Sequence, residues 1–208
     1  MKIAILTSGI LPIPAVKGGA VENLIDFYLD YNRRHPLHDI TVYSVGDPLT
    51  QHHPAYQASL AASSPNHYHY VEIWSLWAKI RKRLYKWTNG KERFHYTIEY
   101  FMEQALKDIV KQDYDLVILE NRPAYSLKLA RRTKAKIVHH LHNDFLHKDI
   151  PDAQIIYEQA WRILTVSDYI GSRVKTIEPD STKCITVNNG IDQTAFSQSN
   201  TQGPCRAD

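Results

Sequence analysis

The stretch KGGAVENLI, residues 17–25, places two glycines where an apolar helical pattern begins. Backbone N–H groups at a helix start carry the positive end of the helix dipole, and glycine lets a ligand come close to them. Gly18 and Gly19 therefore offer a seat for a phosphate-like anion, or else only a turn that needs positive φ. Glu22, three positions after Gly19, reads as a first-turn acid stabilised by the same dipole. A second group lies in mid-chain, where His139, His140, His142 and His147 crowd together. Alternation along a strand puts only His140 and His142 on one face, and the HExxH spacing of zinc enzymes is missing, so no metal is expected. Upstream, in ENRPAY, Arg122 reads as a bidentate phosphate contact or as a surface ion pair.

These residues need elements to position them, and the chain supplies strand and helix patterns in alternation. Apolar strand candidates are 3–7, 40–45, 68–73, 116–120, 136–142, 163–166 and 184–187. Helical patterns follow the first strand to about residue 34 and cover 75–87, 92–110, 124–131, 153–160 and 168–175. Such alternation predicts an α/β fold, a doubly wound parallel sheet whose ligands sit beyond the carboxyl ends of its strands. The strand exits are polar, as that placement requires: ENRPAY, HLHND, VSDY and NNGID. Any one of them could be plain capping and turn chemistry. Residues 46–66, rich in Pro, Ser and Ala, read as a long loop with room for a short helix.

Bulk composition removes several function classes. With 208 residues, 43% of them hydrophobic, the chain can bury a core of its own. A net charge of +3 is too weak for a nucleic-acid binder unless it is concentrated. It is concentrated in one place, the stretch WSLWAKIRKRLYKW. Trp74, Trp77, Ile80, Leu84 and Trp87 recur at spacings of three and four, with Lys79, Arg81, Lys82, Arg83 and Lys86 between them. A basic amphipathic helix of this kind suits an anionic membrane surface, and equally a core-packing helix with a solvated face. Cys184 and Cys205 show no CxxC spacing, which fits a reducing cytoplasm. No signal peptide or membrane span is expected.

Taken in order, KGGAVENLI, ENRP, HLHND, VSDYI and VNNGID with Phe196 behind it resemble the N-terminal domain of a GT-B glycosyltransferase. Family 4, with its capsule, lipopolysaccharide and spore-coat sugar transferases, is the nearest group. The resemblance covers residues 1–196 and leaves 197–208 as a linker or tail. It implies a Rossmann-like fold and retaining transfer of a sugar from a nucleotide-sugar donor to a glycan or lipid-linked acceptor, in cell-envelope polysaccharide synthesis. No metal or other cofactor is implied. His142 falls where the family has a histidine beside the reaction centre, and Gly18 and Gly19 where it meets the donor diphosphate. Glu120, Asn121, Arg122, Tyr125, Asn143 and Asp144 would line the acceptor side. Asn189, Gly190 and Asp192 would lie at the donor side, next to a second domain. That domain's donor-binding residues have no counterpart here, so the isolated chain is expected to be inactive. A cytoplasmic location, peripheral at the membrane, is implied as well. Two other readings stay open: a non-catalytic acceptor-binding subunit that works with a separate donor-binding partner, and an unrelated nucleotide-binding Rossmann protein. The first loop lacks GxGxxG, which weighs against the second of these.

Overall fold

The computed structural model describes residues 1–73, 77, 79, 80, 83 and 95–190. Seven parallel strands form one sheet in the order β3-β2-β1-β4-β5-β6-β7. They are β1 (Lys2–Leu6), β2 (Asp39–Val45), β3 (Asn66–Val71), β4 (Leu116–Glu120), β5 (Lys136–Leu141), β6 (Arg162–Thr165) and β7 (Cys184–Thr186). The described helices are α1 (Ala20–Arg34), α2 (Pro54–Ser59), α3 (His95–Ile109), α4 (Ser126–Leu129), α5 (Ala153–Gln159) and α6 (Asp168–Val174). This is the Rossmann-like α/β architecture that the alternating pattern predicts. The expected loop at 46–66 is partly ordered, as a 3-10 turn over Pro48–His52 followed by α2. Prolines at the first position of each turn explain where both begin, because proline fixes φ and has no N–H to leave unpaired.

The strand order reverses between β1 and β4, and a doubly wound sheet opens its ligand crevice at such a switch. β1 must then be buried on both faces, and KIAIL is apolar enough for it. Ala4 and Leu6 face α3, against Phe101, Met102 and Leu106, while Ile3 and Ile5 face α1, against Ile25 and Leu29. On α1 a stripe of Glu22, Ile25, Leu29 and Asn32, at spacings of three and four, is buried throughout. Its polar ends have different reasons to be there. Asn32 donates to His38 O and accepts from His38 N–H, tying the end of α1 to the start of β2. Glu22 stands at the other end, over the crevice.

The loop from β1 to α1 is held from three sides. Ser44 Oγ accepts from Ile13 N–H at 2.9 Å, Tyr70 Oη donates to Ile13 O at 2.9 Å, and Asp26 Oδ2 accepts from Ala15 N–H at 2.7 Å. A loop so fixed presents its glycines in one place.

Candidate functional site at the carboxyl edge

Parallel pairing of β4 with β5 sets Glu120 beside His140. His142, two positions on, shares the face of His140 by strand alternation. Glu120 is 1% exposed, and its carboxylate bridges both rings: His140 Nδ1 lies 3.1 Å and His142 Nε2 also 3.1 Å from Oε2. Burial opposes ionisation of Glu120, yet the two imidazole hydrogen bonds outweigh it and hold the carboxyl below the ordinary glutamate range. Burial likewise works against a charged His140, but the bond to Glu120 and its charge reverse the balance and raise its pKa. An ionised carboxylate only accepts, so His140 carries its proton on Nδ1 and His142 on Nε2. His139, on the opposite face of the same strand, is fully buried and stays neutral, its pKa pushed down to about 4 by that burial. Glu120, His140 and His142 each offer a ligand atom within 4.8 Å of the others, and the mutual hydrogen bonds already occupy them.

Across the crevice stands the β1–α1 loop. Gly18 (φ 71°) and Gly19 (φ 108°) both have the positive φ that the turn reading required. Gly18 N–H does not face a ligand, because it donates to Ala15 O at 2.9 Å; this corrects the expectation that both glycine amides are available. Gly19 N–H finds no partner among the described residues. A side chain at position 19 would meet Glu22, whose Oε2 lies 2.1 Å from where a Cβ would stand. Glu22 is thus no solvent-facing first-turn acid. It is buried, and that burial, with the charge of Glu120, raises its pKa against the opposing pull of its own backbone N–H and of His142. Tyr28, one helical turn and a half further along α1, brings its ring to within 6.4 Å of His140. Neither Glu22 nor Tyr28 is in the sequence-derived site. The signal for Glu22 was present, as an acid within an otherwise apolar stripe.

On the other side of Glu120 the chain turns sharply. Asn121 adopts the left-handed conformation at φ 56°, which asparagine tolerates, and Pro123 keeps Arg122 out of the helical region at φ −136°. Asn121 Oδ1 accepts from the N–H groups of His142 and Asn143, each at 3.2 Å, so it braces the β5 exit and its oxygen is not free for an acceptor. Asn121, Arg122 and Tyr125 line an open cleft of about 410 Å³, together with Glu99, Lys128 and Phe145. Glu120, in contrast, is sealed beneath it. Tyr125 Oη donates to Glu99, a partner on α3, while its ring is buried in the core.

The remaining predicted residues scatter. Asn143 is exposed in the loop after β5, and Asp144 lies 3.9 Å from Arg173 Nε on α6. Asn189 and Gly190 are exposed past β7, while Asp192 and Phe196 fall outside the described residues. Of the basic helix, Trp77, Lys79, Ile80 and Arg83 are described and exposed; Trp74, Arg81, Lys82 and Lys86 lie outside. Among the described residues no helix is long and apolar enough to cross a membrane.

Comparisons with known proteins bear on this edge. No protein-family model matches the chain. Spore coat protein SA of Bacillus subtilis (strain 168) is 27% identical over 198 residues, spanning 92% of this chain and 43% of its own length. A second protein of that strain, YtcC, whose name assigns it provisionally to the glycosyltransferases, is 28% identical over 203 residues, 94% of this chain and 41% of its own. The chain thus spans less than half the length of the curated relatives it matches. Among solved structures, Anabaena Alr3699/HepE in complex with UDP-glucose superposes with a TM-score of 0.53 at 14% identity, over 94% of this chain and 46% of that one. The lipopolysaccharide outer core galactosyltransferase WaaB, in its apo form, gives 0.52 at 12% identity, over 92% and 46%. At such identities the likeness establishes a shared fold.

Proposed function

We propose that the chain is the acceptor-side half of a glycosyltransferase of the GT-B type, in family 4, acting on a nucleotide-sugar donor and retaining the anomeric configuration. The observation that carries this is His142 held by Glu120, the residue that ends β4 beside the switch of the sheet, with its charge felt by Glu22 of α1. YtcC, a relative whose name places it among glycosyltransferases, and a structural neighbour solved with UDP-glucose support the donor class.

In this reading the bond from the anomeric carbon to the diphosphate oxygen breaks while the acceptor oxygen bonds to that carbon and passes its proton to the departing diphosphate. Gly19 N–H and the α1 dipole favour the charge gathering on the departing diphosphate. His142 lies beside the donor sugar, its ring orientation fixed by Glu120. Arg122, Tyr125, Asn143 and Asp144 serve the acceptor, a glycan or a lipid-linked saccharide of the cell envelope. Asn189, Gly190 and Asp192 adjoin a donor-binding domain, without which the chain has no turnover. The chemistry uses no metal, and the protein works in the cytoplasm, peripheral to the membrane through its basic tryptophan-containing helix.

The test is nucleoside diphosphate release from UDP-glucose and other nucleotide sugars, measured for this chain alone and for the chain joined to a donor-binding Rossmann domain. Release only from the joined protein, unaffected by a chelator, and a product of unchanged anomeric configuration by NMR are expected. Turnover by the isolated chain would defeat the division of labour, and an inverted product would defeat the retaining assignment.

A further inference from the structure

Arg122 is half-buried at the mouth of the cleft beside Glu120. Its Nε is buried with no hydrogen-bond partner, and its guanidinium makes no ion pair among the described residues. A cation withdrawn from water without an acceptor is costly, and native proteins rarely leave one so unless a ligand completes it. The acid in the same cleft does not answer it. Glu99 Oε1 accepts from Tyr125 Oη and Oε2 from Lys128 Nζ, and Lys128 also reaches Glu103 at 2.9 Å. Those charges close among themselves and leave Arg122 over. Opposite it the wall is apolar: Pro123, Leu127 and the ring of Phe145, which is 44% exposed.

We infer that this cleft seats a phosphoryl oxyanion of the acceptor on Arg122, with Phe145 and Leu127 against the stem that carries it. The planar guanidinium fork matches two phosphoryl oxygens, and a half-desolvated site makes that pair stronger than one in open water. The inference deepens the acceptor-side reading and rests on it. A lipid-borne phosphate and a soluble sugar phosphate share this chemistry.

Calorimetric titration of the 208-residue chain with hexyl phosphate, glucose 1-phosphate and the neutral hexyl glucoside tests it. At least one phosphate-bearing ligand should bind more tightly than hexyl glucoside, and Arg122→Ala should weaken that binding by about tenfold or more. Arg122→Lys should keep part of it, since the charge remains but the fork is lost. Both variants should keep the wild-type thermal midpoint, because Arg122 makes no contact that holds the fold. Preference for hexyl phosphate assigns the oxyanion to a lipid; preference for glucose 1-phosphate assigns it to a soluble acceptor; either supports the site. Binding of both phosphates no tighter than that of hexyl glucoside, binding unchanged in Arg122→Ala, or no binding of either phosphate overturns it. No nucleotide sugar enters this experiment, so its failure is separate from failure of the transferase reading.

Discussion

Past β1 and past β4 the chain builds neighbouring charged sites and finishes them in opposite ways. At the start of α1 the chain's own carboxylate, Glu22, is buried against Gly19. After β4 a guanidinium is left half out of water with nothing to hold. The first arrangement is closed and the second open. A charge that the fold satisfies internally serves position and stability first, whereas one left unsatisfied marks where a ligand has something to gain. A diphosphate arriving at Gly19 must displace Glu22 or share the site with it.

Removing the centre of the closed network should have the largest effect. Glu120→Ala leaves two buried imidazoles without their acceptor and should cost about 3 kcal/mol, read from chemical denaturation. Glu120→Gln, whose amide oxygen can still accept N–H groups but carries no charge, should lose less. If Glu120→Ala unfolds at the wild-type denaturant midpoint, the triad is not holding the edge. Gly19→Ala comes next, at about 2 kcal/mol, since it forces a side chain to positive φ and into Glu22. Adding Glu22→Ala should relieve the clash with Glu22 but not the backbone strain. Full recovery in the double variant would show that the close approach is all that the glycine serves.

Glu22→Gln should do the reverse and stabilise the protein at neutral pH by about 1 kcal/mol, because a buried carboxylate with a raised pKa resists ionisation. The sign follows from linkage: a raised carboxyl contributes most below its unfolded value of 4.5 and loses that contribution as pH climbs through its folded value. Glu120 runs the other way, contributing above 4.5 and losing it as pH falls through its lowered folded value. His140, raised, contributes fully below 6.5 and loses that contribution as pH rises through its folded value. Stability of the wild type should therefore fall on the acid side, where Glu120 loses its contribution and so does His139, which contributes above 6.5 and loses it as pH falls through about 4, and on the alkaline side through Glu22 and His140. In Glu120→Gln both outer slopes should flatten; a profile unchanged by that substitution would separate His140 from Glu120. The smallest effect belongs to the membrane surface. Co-sedimentation with anionic vesicles at low salt should be partial and vanish as salt rises; no pelleting at low salt would sink the peripheral reading.

Much of this edge could be read from the sequence because it depends on local period and turn chemistry. The strand run 116–120 coincides with β4 and its ENRP exit behaves as asparagine and proline dictate. His140 and His142 share a face for the simple reason that strands have a period of two. What escaped the sequence is pairing between distant segments. That Glu120 bridges both histidines depends on the β4–β5 register, that Tyr125 points at Glu99 depends on how α3 lies over the sheet, and that Gly18 spends its amide on Ala15 depends on the path of one loop. The buried acid in the α1 stripe was visible, but only the crevice gives it a meaning.

The place of β1 in the sheet also governs how the protein is made. β1 sits inside the finished sheet, and one of its neighbours, β2, follows it closely in the chain. Its other neighbour comes far later: Lys2 N–H closes on Asp115, 113 positions away. Until β4 has been synthesised, one edge of β1 stays unpaired, and long-range parallel pairing of this kind is slow and exposed to aggregation. Nascent chains stalled before residue 116 should therefore depend on chaperones, and those carried past β4 should not.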